Sequence, residues 1–116
     1  MDGVMIKDLG PRVLDAMRER NLKEKSIKEF ERYGIRRIMA HFEKNGRELY
    51  SKEAAWDFVL QERAKMESGQ LPAYQWAHTR RAAVYLEQMA EHDEMQEVPL
   101  PKWEAEHNRL FKPVVQ

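Results

Sequence analysis

Apolar residues recur every three or four positions along most of this chain, in segments separated by glycine and proline. That spacing gathers apolar side chains on one face of a helix, and no segment alternates with period two for long enough to form a strand. The length of 116 residues suits one domain, which buries about two thirds of its unfolded surface. The pattern therefore predicts an all-α fold, a bundle of four helices.

Residues that start and stop helices mark the four segments. Pro11 suits the first position of helix one, and Ser26 with Glu29 has the spacing of a capping box before helix two. Ser51 is the predicted N-cap of helix three, and Pro72 opens helix four. A glycine follows each of helices two and three, as expected at helix ends. The predicted helices cover residues 11–20, 27–45, 52–67 and 73–92.

The end of the chain differs from the rest, since it begins with an acidic stretch and is interrupted by three prolines. We divide the chain into an N-terminal extension (1–10), a helical domain (11–92) and a linker or partly ordered tail (93–116). Within the tail we expect one or two helical turns that dock Trp103, Leu110 and Phe111 on the bundle.

The chain lacks the residues that several kinds of catalytic and binding site require. The chain has no cysteine, which excludes disulfides, cysteine zinc sites and thiol catalysis. Its four histidines are dispersed, and the three serines stand at predicted helix ends, where capping explains them. There is no glycine-rich phosphate loop. We expect no metal, no cofactor and no catalytic centre, although a small enzyme with an unfamiliar site stays open.

The apolar runs are only a few residues long, too short to span a membrane. The first 20 residues are rich in charge and lack the apolar block of a secretory signal. We therefore expect a cytoplasmic protein with no membrane partner.

Helix two carries a row of cations. Lys28, Arg32 and Arg36 recur at i, i+4 and i+8, with Arg37 beside them and Lys25 just before. Such spaced cations suit a phosphate backbone, because each one that neutralises a phosphate releases counterions. An ordinary charged surface, partly cancelled by neighbouring glutamates, is the alternative.

Helix four adds a second basic group, His78, Arg80 and Arg81, in its amino-terminal half, where the helix dipole also favours anions. Tyr74 and Thr79 are further candidates for hydrogen bonds to DNA. The residues predicted to bind DNA are Lys25, Lys28, Arg32, Arg36, Arg37, His78, Arg80 and Arg81.

The order of these motifs is also informative. The stretch Asn21–Tyr33, the apolar residues and Asn45-Gly46 after it, and the stretch Thr79–Leu86 together resemble the N-terminal core-binding domain of phage integrases and other tyrosine recombinases. The resemblance covers residues 11–92, and its specificity comes from the order and spacing of motifs that are individually degenerate.

This resemblance implies a SAM-like four-helix bundle that clamps duplex DNA with helices two and four during DNA integration and recombination. Other integrase protomers on the DNA would be its partners, and the isolated domain is expected to be a monomer. In that family a separate domain cleaves and rejoins the strands. The segment His78–Arg81 matches the H-x-x-R motif of that domain by letter, but no earlier arginine box or later tyrosine accompanies it. We therefore expect a non-catalytic part of a longer integrase.

A different class of function stays open beside this one. A helical adaptor or regulator would bind another protein through an exposed anchor patch. Its candidate residues are Trp56, which lies off the apolar stripe of helix three, and the tail residues Trp103, Leu110 and Phe111.

Overall fold

The computed structural model describes residues 3–94, and in this range the chain forms four helices and no strand. The all-α, four-helix prediction is therefore confirmed. The predicted docking of Trp103, Leu110 and Phe111 lies outside the described residues. The helices are α1 (Ile6–Glu19), α2 (Glu24–Phe30, a π-helical turn Glu31–Ile35, then Arg36–Lys44), α3 (Lys52–Glu67) and α4 (Ala73–His92).

The last two helices have the predicted bounds because their end signals act as expected. The Oγ atom of Ser51 accepts a hydrogen bond from the backbone N–H of Ala54 at 3.2 Å, which caps α3. Gly46 after α2 and Gly69 after α3 have φ angles of +68° and +83°. These left-handed conformations let the chain turn away from each helix.

The prediction that Pro11 starts the first helix was wrong. The helix begins at Ile6, so Gly10 and Pro11 lie inside it. Its first turn is fixed by pairing between the preceding residues and the α2–α3 loop. The N–H of Ile6 donates to the carbonyl of Glu48 at 2.9 Å, and that of Tyr50 to the carbonyl of Val4 at 2.7 Å. A contact about 40 residues away in sequence thus sets the start of α1.

The capping box at Ser26 was also a wrong prediction. Helix α2 begins at Glu24, and Ser26 is an exposed residue of its first turn with no capping bond. The N–H of Ile27 already donates to the carbonyl of Lys23 at 3.0 Å. Because the helix starts three residues earlier, Ser26 does not stand at its end.

The π-helical turn of α2 explains an irregularity in its apolar stripe. The apolar residues of α2 are predicted to face inward, and Ile27, Phe30, Ile35, Ile38 and Phe42 are buried, while Met39 is half-buried. Phe30 and Ile35 are nevertheless five residues apart. Five residues exceed the three- or four-residue spacing of one α-helical face. A π turn closes i→i+5 hydrogen bonds and so accommodates the extra residue. Both halves of α2 therefore present their apolar residues to one core.

The same turn packs closely against α4. A Cβ atom added to Gly34 would lie 2.7 Å from the carbonyl oxygen of His78 and 2.9 Å from the Cβ of Ala82. The hydroxyl of Thr79 donates a hydrogen bond to the carbonyl oxygen of Tyr33 in the π turn, at 2.8 Å. Glycine at position 34 is thus required for the close crossing that fixes α2 relative to α4.

Candidate nucleic-acid interface

Four of the eight predicted DNA-binding residues form an exposed row on α2, which we call the α2 ridge. They are exposed because α2 turns its apolar stripe, from Ile27 to Phe42, toward the core. The α2 ridge consists of Lys25, Lys28, Arg32 and Arg36.

Carboxylates neutralise little of the α2 ridge. The Nε atom of Arg36 lies 3.6 Å from Oε2 of Glu31. Within residues 3–94, no carboxylate lies within salt-bridge distance of Lys25, Lys28 or Arg32. Three of the four cations are therefore available to an anion from outside.

Arg37 does not belong to the exposed row. Its guanidinium forms a hydrogen-bonded ion pair with Glu62 of α3, donates to Oγ1 of Thr79 at 3.3 Å, and lies over the ring of Phe58. Burial lowers the pKa of Arg37 from its ordinary value. The prediction grouped Arg37 with the ridge because it follows Arg36, but one position along a helix turns a side chain by about 100°.

His78 is also turned inward and is only 5% exposed. Its ring lies 6.2 Å from that of Tyr33, centroid to centroid, and edge-on to that of Phe30. Burial lowers the pKa of His78. The carboxylate of Glu29, 3.8 Å from the Nε2 atom, acts in the opposite direction and raises this pKa. Its Nδ1 atom is buried without a hydrogen-bond partner in the described part of the chain. The side chain is therefore a core group rather than a surface cation.

The two arginines of α4 differ from each other. Arg81 is buried, its Nε atom donates to the hydroxyl of Tyr85 at 3.1 Å, and its guanidinium lies over the rings of Phe30 and Tyr85. Arg80 is half-buried. The structure thus leaves Lys25, Lys28, Arg32 and Arg36 exposed and Arg80 half-buried, and it places Arg37, His78 and Arg81 in packing roles. Thr79, another candidate for DNA contact, is fully buried.

Glu62, the buried partner of Arg37, was not predicted from the sequence. Glu62 is 1% exposed and also lies 3.0 Å from the Nζ atom of Lys65. A signal was present, since Glu62 follows Phe58 by four residues and precedes Met66 by four, on the apolar face of α3. A carboxylate in that position predicts a buried cation on a neighbouring helix.

Two rings and a guanidinium form a cluster that we call the aromatic patch: Tyr33, Tyr74 and Arg32. The sequence had pointed to Tyr74 and Arg32 one by one, but not to Tyr33 or to the contact among the three. The rings of Tyr33 and Tyr74 are perpendicular, 5.5 Å apart, and the guanidinium of Arg32 lies 5.6 Å from the centre of the Tyr33 ring. The nearby Tyr74 hydroxyl raises the pKa of Tyr33. The hydrogen bond from Gln75 Nε2, and then the nearby Tyr33 hydroxyl, lower the pKa of Tyr74.

The described residues contain no group of three His, Asp or Glu side chains that could hold a metal ion. Nor does any helix among them have the length and apolar character needed to cross a membrane. No family model, curated protein or solved structure significantly matches this chain. Its function must therefore be inferred from the arrangement of its own residues.

Proposed function

We propose that this chain binds duplex DNA through the α2 ridge, as the core-binding domain of a phage-type integrase does in site-specific recombination. The supporting observation is the row of four exposed cations on one helix, three of which have no carboxylate partner in the described residues. On this proposal the chain contacts and positions DNA and does not itself cleave it.

The dimensions of the α2 ridge suit a phosphate backbone. From Lys25 to Arg36 is a rise of about 16 Å along a helix. Phosphates of one DNA strand recur about every 3.4 Å along the duplex axis. Because each strand also winds around that axis, a straight ridge of this length meets only about two or three phosphates of one strand. Such contacts give affinity and orientation without reading the base sequence.

Three predicted residues that face inward contribute to the proposed DNA binding indirectly. Arg37 joins α2 to α3 and α4, while His78 and Arg81 pack on Phe30. They hold α2 in place, so that its outer face is presented as a rigid surface. The proposed contact set is therefore the α2 ridge together with Arg80.

A protein-binding adaptor is the second candidate, and one observation favours it. An open groove of about 730 Å³ lies where the start of α1 meets the second half of α2 and the loop after it. Apolar residues including Met5, Ile6 and Met39 line it. Trp56, the described residue predicted as an anchor, is half-buried, and its Nε1 atom donates to Glu87 at 3.0 Å.

The test of DNA binding is the double substitution Arg32→Ala and Arg36→Ala. We expect weaker binding to duplexes of unrelated sequence by a similar factor, and a salt dependence reduced by about one unit of slope per lost contact. The measurement is a titration of labelled duplex by fluorescence anisotropy at several salt concentrations, beginning at low salt.

The matched control is Lys7→Ala with Lys44→Ala, which removes two exposed positive charges outside the α2 ridge. It should reduce affinity less and leave the slope nearly unchanged. Equal losses in both double variants would show that net charge, not the ridge, governs binding. If the unaltered chain bound no duplex even at low salt, the DNA proposal would be wrong, and the groove would become the surface to test.

A further inference from the structure

Tyr74 is unusually exposed for an aromatic residue. Only three large hydrophobic side chains among residues 3–94 are exposed, namely Leu49, Leu60 and Tyr74. Tyr74 is 54% exposed, and of the three it is the one in ring contact with Tyr33, the neighbour of Arg32 in the α2 ridge. An exposed ring beside the unpaired guanidinium of Arg32 suits a ligand that has both a flat face and a negative charge.

The aromatic patch is already held in place before any ligand arrives. Tyr33 lies between two helices, against the buried ring of His78 at 6.2 Å, and its perpendicular ring supports Tyr74. The Nε2 atom of Gln75 donates to the Tyr74 hydroxyl at 3.3 Å. In the described residues no ring stacks in parallel on Tyr74. Its ring can thus accept a flat partner with little loss of side-chain entropy.

The charge around the patch selects the partner. The charged groups that act on the two tyrosines are Arg32, whose guanidinium lies over the Tyr33 ring, and the carboxylate of Glu29. Arg32 has no carboxylate within salt-bridge distance in the described residues and, with Lys28 one turn before it on the α2 ridge, favours a ligand that carries phosphate. A nucleobase on a DNA strand combines a flat π face with phosphates on either side, and aromatic side chains stack on such bases. Inside an intact duplex the base faces are covered by their neighbours. An unpaired base is the form that offers a face to Tyr74.

We propose that Tyr74 stacks on an unpaired base of DNA whose backbone is held by the α2 ridge, so that the chain prefers an interrupted duplex to a perfect one. This inference rests on the proposed DNA binding and adds a substrate class to it. The rest of the patch keeps the Tyr74 ring beside the phosphate-binding cations.

The experiment compares two duplexes that differ by one extra, unpaired 2-aminopurine in one strand, each titrated with the whole chain. Stacking is worth about five- to a hundredfold in affinity per base, so we expect the interrupted duplex to bind more tightly by that factor. Stacking should also quench the 2-aminopurine fluorescence. Tyr74→Ala should remove both effects, whereas Tyr74→Phe, which keeps the ring, should retain them.

Leu60→Ala on α3 removes an exposed apolar side chain of similar exposure and serves as the matched control. It should keep the preference and the quenching. The inference is overturned, with DNA binding intact, if both duplexes bind equally or if Tyr74→Ala keeps the preference. If neither duplex binds at low salt, the proposed function fails and this inference fails with it. Circular dichroism establishes that each variant is folded.

Discussion

At the scale of single residues, Gly34 shows how a missing side chain fixes a helix crossing. Gly34→Ala should lower the free energy of unfolding by about 2 kcal/mol, because its Cβ would meet the backbone carbonyl of His78, which cannot move without shifting α4. This loss outweighs the gain of up to about 1 kcal/mol from replacing glycine by alanine within a helix. Urea denaturation followed by circular dichroism measures it.

Gly10→Ala is the comparison variant, since Gly10 also lies inside a helix, although Pro11 after it disfavours a Cβ in the helical conformation. Its added Cβ would meet the Sδ atom of Met39 at 2.8 Å, in a flexible, half-buried side chain that can rotate away, and the Cγ2 atom of Ile35 at 3.2 Å, but no backbone atom. We expect a smaller loss than for Gly34→Ala, by at least about 1 kcal/mol. Equal stabilities for the two variants would contradict the role assigned to the α2–α4 crossing.

Neither packing role was recognised from the sequence, where glycines were interpreted mainly as residues between helices, although Gly34 lies inside the predicted helix 27–45. A glycine that ends a helix and one that admits a neighbouring helix look alike in one dimension. Gly46 and Gly69 were correctly assigned because polar residues and a new cap follow them. Gly34 differs only in the residues that approach it from α4, more than 40 positions later.

At the scale of elements, the ion pair between Arg37 and Glu62 joins α2 to α3. Glu62→Ala should destabilise the fold by about 3 kcal/mol, because it leaves the half-buried guanidinium without its carboxylate. Replacing both partners by apolar residues, Arg37→Met with Glu62→Leu, should be less destabilising than Glu62→Ala alone, since no charge is then left unpaired. Urea denaturation of the single and double variants gives both values.

A double variant less stable than Glu62→Ala would show that the pair itself, rather than the unpaired charge, governs stability. Lys65→Ala is the control, because Lys65 also contacts Glu62 but is 54% exposed. Its removal should change stability by less than about 1 kcal/mol.

Helix bounds could be predicted where the signals are local. The starts of α3 and α4 depend on Ser51 and Pro72, which act within one turn. The start of α1 depends instead on backbone hydrogen bonds with residues 48–50, whereas Pro11 suggested a later start. The start of α2 was obscured by Ser26, whose spacing from Glu29 matches a cap although the helix already runs through it.

At the scale of the whole molecule, two histidines link stability to pH. Burial lowers the pKa of His78 and of His41. As the pH falls, each of these histidines is therefore protonated near pH 6.5 in the unfolded chain, and only at a lower pH in the folded chain. Since the unfolded state then binds more protons, stability should fall as pH decreases below about 6.5, by at most about 1.4 kcal/mol per pH unit for each histidine.

His78→Gln should reduce this pH dependence, measured as the free energy of unfolding at several values between about pH 7.5 and 5.5. Among the described residues, the charged groups that act on His78 are Glu29 and Arg81, and the Tyr33 ring lies against it; all three remain in the variant. His92→Gln, at an exposed position, is the control and should leave the slope unchanged. An unaltered slope in His78→Gln would show that other groups carry the dependence.

The surface of the whole molecule could be predicted only in part. The outward direction of Lys25, Lys28, Arg32 and Arg36 follows from the apolar stripe of their own helix. The burial of Arg37, His78 and Arg81 depends on which helices cover them, which no single helix encodes. The aromatic patch joins residues from α2 and α4 and emerges only when those helices pack together.

The π turn also determines where this chain can change its length. Elsewhere in a helix, losing one residue rotates everything beyond it by about 100° and turns the apolar face toward solvent. Between Phe30 and Ile35 the same loss shortens a five-residue step to four, which is the ordinary α-helical spacing. The apolar faces of both halves of α2 would then stay aligned. In a related sequence whose second helix is one residue shorter, we would therefore expect the missing residue to fall within 31–34.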